Sequence, residues 1–323
     1  EAVFWADRRE KEIRQGKLEN IDSSKTLKDA LQRYLKEVTP TKRSKRSETL
    51  RINYFLKCPE LDIDYRLNLL TPSVFNKYIE FRVKSVRPAT VNKEITILRG
   101  VIREAIKWRW MEHNPFDAVD KLKESPPRNR RISDTEIKKI LEALGYEENG
   151  QLDQARQRLG VIFLLAIETG MRLGEICNLD WSNIYLHHRY LTIPTSKNGD
   201  SRDIPLSSRA IELLERIKPY SRTLIHERTI TDEYGNAKTY TAKPVFFKDF
   251  DKSSDRTSAL FARYVKTTGI KDLRFHDTRH EACTRLARKL DVLDLAKMIG
   301  HRDPRSLMIY YNPTASEIAR RLG

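Results

Sequence analysis

Cysteine is scarce in this chain of 323 residues: Cys58, Cys177 and Cys283 are widely separated, odd in number and without a C-x-x-C pair. Their spacing argues against a disulfide framework or a zinc knuckle and fits a reducing compartment. No apolar run reaches the length of a membrane span, and no signal-peptide pattern opens the sequence. Internal repeats and low-complexity tracts are missing as well. These absences lead us to expect a soluble, cytoplasmic protein. The first residue is Glu1 instead of Met, so a fragment, or a chain lacking upstream sequence, is expected.

Positive charge is what the chain has in excess. Lys+Arg 61 against Asp+Glu 45 gives a net charge of +16, which favours a polyanionic partner through counterion release. Two clusters, Lys42-Arg43-Ser44-Lys45-Arg46 and Arg128-Asn129-Arg130-Arg131, point to nucleic acid.

The length allows two or three domains. Residues 1 to about 22 read as a charged helix ended by Gly16. Residues 26–121 are helical in pattern. Leu27, Ala30, Leu31, Tyr34 and Leu35 share one helical face, and a second helix is expected from about Ser47 to Leu56. A third begins after Thr71-Pro72. A fourth runs from about Pro88 to Trp110 and carries Lys93 and Arg99. Residues 122–132, with Pro126-Pro127 inside a charged run, form an extended basic linker. Ser133 to Glu136 has capping-box spacing and opens the second domain, 133–323. There an apolar helix breaks at Thr169-Gly170. A hairpin is expected from Tyr190–Pro194 and Ser201–Pro205, and another around Asp232–Asn236. Further helices start near Asp255, His276 and Val292, and a polar one spans Ala315 to Leu322. The class is therefore mainly α with a small antiparallel sheet (α+β).

Four short segments of the second domain carry the chemistry. Arg172 follows Thr169-Gly170-Met171; Lys197 sits at the tip of the first hairpin; His276, Arg279 and His280 lie at i, i+3 and i+4 of one helix face; His301 follows Gly300 and precedes Tyr310 by nine residues. Guanidinium groups match the non-bridging oxygens of a pentacoordinate phosphate. A mobile ammonium suits protonation of a leaving oxygen. Glu175 either orients Arg172 or belongs to the first turn of its helix. The His276/His280 pair has the spacing of a metal pair, but the arginine beside it disfavours a metal ion and the glutamate base of H-E-x-x-H is absent. No carboxylate cluster is present for a metal, so neither metal nor cofactor is expected.

In order and spacing these segments resemble the tyrosine recombinases, the phage-integrase family, closely over about residues 130–312 and more weakly over 26–120. The resemblance implies a helical core-DNA-binding (SAM-like) domain and a catalytic domain forming a C-shaped clamp. Residues 1–25 would then be a linker helix ending a truncated arm-binding domain. It assigns Arg172, His276 and Arg279 to the scissile phosphate, Lys197 to proton transfer, His301 to positioning that phosphate, and Tyr310 to nucleophilic attack, with Tyr311 as competitor. Glu175 and His280 become supporting residues. The implied activity is site-specific cleavage and rejoining of duplex DNA through a 3′-phosphotyrosyl bond and a Holliday junction, for a mobile element. The implied partners are double-stranded DNA, three further copies of the chain in a tetramer, DNA-bending accessory proteins and a directionality factor, in a nucleoid-associated setting without membrane. DNA contacts are expected from Lys42, Arg43, Lys45, Arg46, Lys93, Arg99, Arg128, Arg130 and Arg131. A type IB topoisomerase or telomere resolvase shares the same chemistry. The alternative from another class is a DNA-binding regulator without catalysis.

Overall fold

The computed structural model describes residues 21–126, 128–194, 201–221, 226–231, 237–246, 250, 254–301, 303, 307, 308, 310 and 319. The expected helices at 1–22 and 315–322 therefore lie essentially outside the described residues, as does the tip of the first hairpin with Lys197. The chain divides into two compact units, Glu1–Pro127 and Arg128–Gly323. The described residues are mostly helical, with a three-stranded antiparallel sheet and a separate two-stranded one. No helix among them is long and apolar enough to cross a membrane.

The first unit contains α1 (Leu27–Glu37), α2 (Lys45–Phe55), α3 (Pro72–Arg82) and α4 (Pro88–Lys107). Thr26 and Asp29 close a capping box at the start of α1, which buries Leu27, Ala30, Leu31 and Tyr34. Those side chains join Ile52, Phe55, Phe75, Tyr78, Leu98 and Ile102 in one core. Helix α4 ends three residues before the expected Trp110. Arg109 adopts φ +62 there, and the Trp110 amide donates back to the Ala105 carbonyl at 2.9 Å, as in a Schellman closure. The sequence has no glycine to announce this turn. Beyond it, Leu122 and Glu124 are tied to the Asn92 side chain of α4 by bonds of 2.8–2.9 Å, so the expected linker starts as a segment docked on α4.

The second unit is organised around α6 (Ala155–Thr169), preceded by α5 (Asp134–Ala143). Helix α6 buries residues on every side, which marks a central core helix. The chain continues through α7 (Leu173–Cys177), β1 (Ile184–Tyr185), β2 (Tyr190–Ile193), β3 (Arg202–Pro205), α8 (Ser208–Ile217), β4 (His226–Thr231) and β5 (Ala237–Ala242). It ends in α9 (Ser254–Thr267), α10 (Asp277–Leu286) and α11 (Val292–Ile299). Helix α6 packs on α8 and α10, and α11 packs on β3. In the sheet Leu191 pairs with Ile204 and Ile193 with Arg202. Leu191, Ile193 and Ile204 are buried, so Arg202 occupies the inward-facing row of its strand. Strand β1 was not expected; at two residues it is too short to show an alternating pattern.

Gly170 ends α6 at φ +64, and a Cβ there would stand 2.4 Å from Ile299 Cδ1. Gly170→Ala combines left-handed strain with overpacking and should lower stability by roughly 2–4 kcal/mol. A urea unfolding curve checks this; an unchanged midpoint would mean that the α6–α11 contact is looser than it looks.

Candidate active site

The abrupt left-handed stop at Gly170 turns the chain so that Arg172 becomes the N-cap of the short helix α7. Glu175, one turn on, then grips Arg172 twice: its Oε2 accepts from the Arg172 amide at 2.9 Å, and its Oε1 from Nη1 at 2.8 Å. Of the two readings of Glu175, orientation of Arg172 is the one this geometry describes. A second guanidinium holds the same carboxylate. Arg202 Nη1 and Nη2 donate to Glu175 Oε1 and Oε2 at 3.0 and 2.7 Å. Burial pushes the Glu175 carboxyl up, but the Arg202 and Arg172 hydrogen bonds outweigh it and hold it below the usual carboxylate range.

Arg279 comes from the first turn of α10 and is buried. It donates to two carbonyls, Gly170 O at 2.6 Å and Ile299 O at 2.8 Å. Burial, and then the charge of Arg172, lowers its pKa to about 10, so it still carries its proton at neutral pH. His276 is the exposed N-cap of α10. His280 is 9% exposed, and neither of its ring nitrogens has a hydrogen-bond partner. Burial and the Arg131 charge hold it below an ordinary imidazole.

The end of α11 collects the two arginines. Arg202 Nε donates to Met298 O at 3.1 Å, next to the Ile299 carbonyl that takes Arg279. Two cations thus fill the terminal carbonyls of one helix, where the backbone dipole favours positive charge. Gly300 caps the helix at φ +73, and a Cβ there would meet Arg202 Cδ at 3.0 Å. His301 follows, half-buried. Burial and the charges of Arg279, Arg172 and Arg202 hold its imidazole below the usual value. Tyr310 packs against the small core cluster that includes Cys283, Leu295, Ile299 and Leu307, its ring edge-on to His280 at 4.8 Å between centroids. Burial raises its phenol, Cys283 adds to that, and Arg279 offsets it only in part.

Arg172, Arg279, His301 and Tyr310 therefore converge from segments up to 138 residues apart in sequence. Arg202 is the residue that sequence reasoning missed. Its one signal was its place two residues before Ile204, an inward position of a strand where a cation requires a partner. Among the described residues, Glu175 is the one carboxylate bonded to any of the three arginines. Among the described residues, three guanidinium charges against one carboxylate leave a positive surplus in a partly buried site. Such a surplus calls for an anion and repels a divalent cation.

The nine cations expected on DNA separate into two groups. Arg43, Lys45, Arg46 and Lys93 are exposed. The other five are engaged inside their own unit, because carboxylates or carbonyls there draw them in. Lys42 bonds Tyr34 and Glu48, and Arg99 bonds the Phe116 and Val119 carbonyls. Arg130 bonds Glu136. Arg128 holds Asp272 and Asp277 at 2.7–2.9 Å, and Arg131 holds Glu281 at 2.7 Å. Asp277 and Glu281 alternate along α10 with His276, Arg279 and His280, so the end of the linker straps the helix that carries three expected site residues.

Burial pushes the Glu281 carboxyl up, but hydrogen bonds from Arg131, Arg285 and the Ile132 amide bring it down to about 2. A folded pKa below the unfolded 4.5 means the stabilisation is complete above pH 4.5 and is lost as pH falls towards 2. Glu281→Gln should cost at most about 3 kcal/mol at pH 7, less as solvent screens the half-exposed Arg131. The difference from the parent should shrink at pH 3. Urea curves at the two pH values test this, and a gap independent of pH would overturn it.

The chain matches the phage integrase family over residues 127–317 and the phage integrase SAM-like domain over residues 3–123. It is 32% identical over 320 residues to a Haemophilus influenzae protein provisionally named integrase/recombinase, covering 98% of this chain and 96% of that one. It is 31% identical to the shufflon-specific DNA recombinase of Escherichia coli, over 92% of this chain and 71% of the relative. The fold is similar to that of a lambda integrase tetramer bound to a Holliday junction, with TM-score 0.68 and 21% identity, over 88% of this chain and 79% of that chain.

Proposed function

Because this chain belongs to the phage integrase family, we propose that its buried cation cluster binds the scissile phosphate of a DNA duplex and that Tyr310 cuts the strand there. The observation that carries this reading is the positive surplus of Arg172, Arg202 and Arg279 over Glu175 beside the Tyr310 ring. A phosphodiester supplies the missing negative charge, and the added charge of its pentacoordinate transition state strengthens the same contacts.

In the reaction the Tyr310 oxygen forms a bond to phosphorus and the bond to the 5′ oxygen breaks. The phenol proton passes to water, and the 5′ oxygen takes one up from the Lys197 ammonium. The products are a 3′-phosphotyrosine and a free 5′ hydroxyl. Attack by a 5′ hydroxyl of another strand reverses the sequence, so strands are exchanged without an external energy source. His301, held neutral at physiological pH, takes a hydrogen-bonding role at the phosphate. His276 stands at the N-terminus of α10 to join it, and His280 supports Tyr310.

The protein is thus a site-specific recombinase that breaks and rejoins DNA, working as a tetramer on paired sites in the cytoplasm, with accessory DNA-bending and directionality proteins. The exposed Arg43, Lys45, Arg46 and Lys93 serve as backbone contacts in the first unit. The test is covalent trapping on supercoiled plasmid carrying the DNA that flanks the gene, in EDTA and without ATP. Protein that survives detergent on the plasmid supports the reading. Binding at low salt with no adduct on the paired sites would favour a DNA-binding regulator instead.

A further inference from the structure

We infer that Arg202 is a positioning residue that sets the geometry of the phosphate site by locking three of its segments together. The inference rests on the strand-cleavage reading above and extends it to a residue outside the assigned set. Four observations carry it. Arg202 is the first residue of β3, five residues after Lys197 in sequence. Its two Nη groups make a bidentate pair with Glu175, the carboxylate that also holds Arg172 by amide and side chain. Its Nε reaches the Met298 carbonyl, two residues before Gly300 and three before His301. Its side chain is 7% exposed and passes against Gly300 so closely that a Cβ would stand 3.0 Å from its Cδ.

One planar group therefore fixes the first arginine segment, the start of β3 and the last histidine segment. Lysine cannot repeat this. An ammonium is a single point donor and cannot make the parallel pair on Glu175 while also reaching Met298 O. Arg202 also accounts for part of the positive field that keeps His301 neutral. Glu175 and Met298 O take three of its five N–H groups, so Arg202 adds its charge to the cluster that meets the phosphate and sets the geometry there through Arg172 and His301.

The experiment compares the parent, Arg202→Lys, Arg172→Lys and the double variant on a suicide duplex that traps the covalent product. Binding is measured separately by gel shift. Arg202→Lys should bind within about threefold of the parent yet form the adduct on the order of 100-fold more slowly. If Arg202 acts through Arg172, the double variant should be little slower than Arg172→Lys alone, since coupled residues are not additive. An Arg202→Lys rate equal to the parent, or fully additive losses, would overturn the inference. Should Arg202→Lys fail to bind DNA, Gly300→Ala shifts the Arg202 arm without removing it and must show the same split between binding and cleavage; an unaffected rate there refutes the idea. The Arg202→Met variant adds a pH readout: with the positive charge gone, the His301 limb of the rate profile should move to higher pH, whereas Arg202→Lys keeps it in place. A parent protein that forms no adduct defeats the strand-cleavage reading itself, a result distinct from any of these.

Discussion

Tyr310→Phe should bind a core-site duplex as tightly as the parent and form no detergent-resistant adduct at all, while Tyr311→Phe keeps the adduct. The size of this effect follows from the chemistry, since phenylalanine has no oxygen with which to form the bond to phosphorus. Binding is spared because the ring packing remains: Tyr310 packs against the cluster around Cys283, Leu295, Ile299 and Leu307, and Phe fills the same space. The raised phenol pKa makes a further point. On the proposed reading this tyrosine is protonated in the free protein and is activated only once the phosphate and cations are assembled around it. An adduct lost in Tyr311→Phe and kept in Tyr310→Phe would transfer the nucleophile to the neighbour and undo the spacing argument.

Arg279→Lys is the second large effect. It should slow single-turnover cleavage by on the order of 10² to 10³ and change DNA affinity far less, because most affinity comes from exposed backbone contacts. The guanidinium is oriented by the Gly170 and Ile299 carbonyls, and on the proposed reading its remaining N–H groups serve the phosphate. A lysine at 279 can satisfy one of those carbonyls or the phosphate, not all three. Rapid-quench cleavage of a saturating suicide substrate reads the rate, and gel shifts over a salt series read the affinity. A loss confined to affinity would recast Arg279 as one more backbone contact.

Much of this architecture was open to sequence reasoning because the deciding forces are local. Ser133 with Glu136 and Thr26 with Asp29 start helices through bonds three residues long. Gly170 and Gly300 stop α6 and α11 because a left-handed residue is needed there. The alternation about the first hairpin set β2 against β3. Where no local residue announces an event, as at Arg109 or in the two-residue β1, sequence reasoning had nothing to read.

The sequence by itself determined the family, the helical class and the order of the chemical groups, since these depend on residue type, spacing and periodicity. Only the tertiary structure decided how the charges are shared. Arg202 and Arg128 are indistinguishable by type from Arg43 or Arg46 in an unfolded chain. Folding separates them: Arg202 is drawn to Glu175 and a helix terminus, Arg128 to Asp277 and Asp272, while Arg43 and Arg46 stay in water. The physical reason is that a charge's role is set by the dielectric and the partners around it. Those partners are 27 and 149 residues away in sequence for Arg202–Glu175 and Arg128–Asp277, beyond the reach of any local pattern.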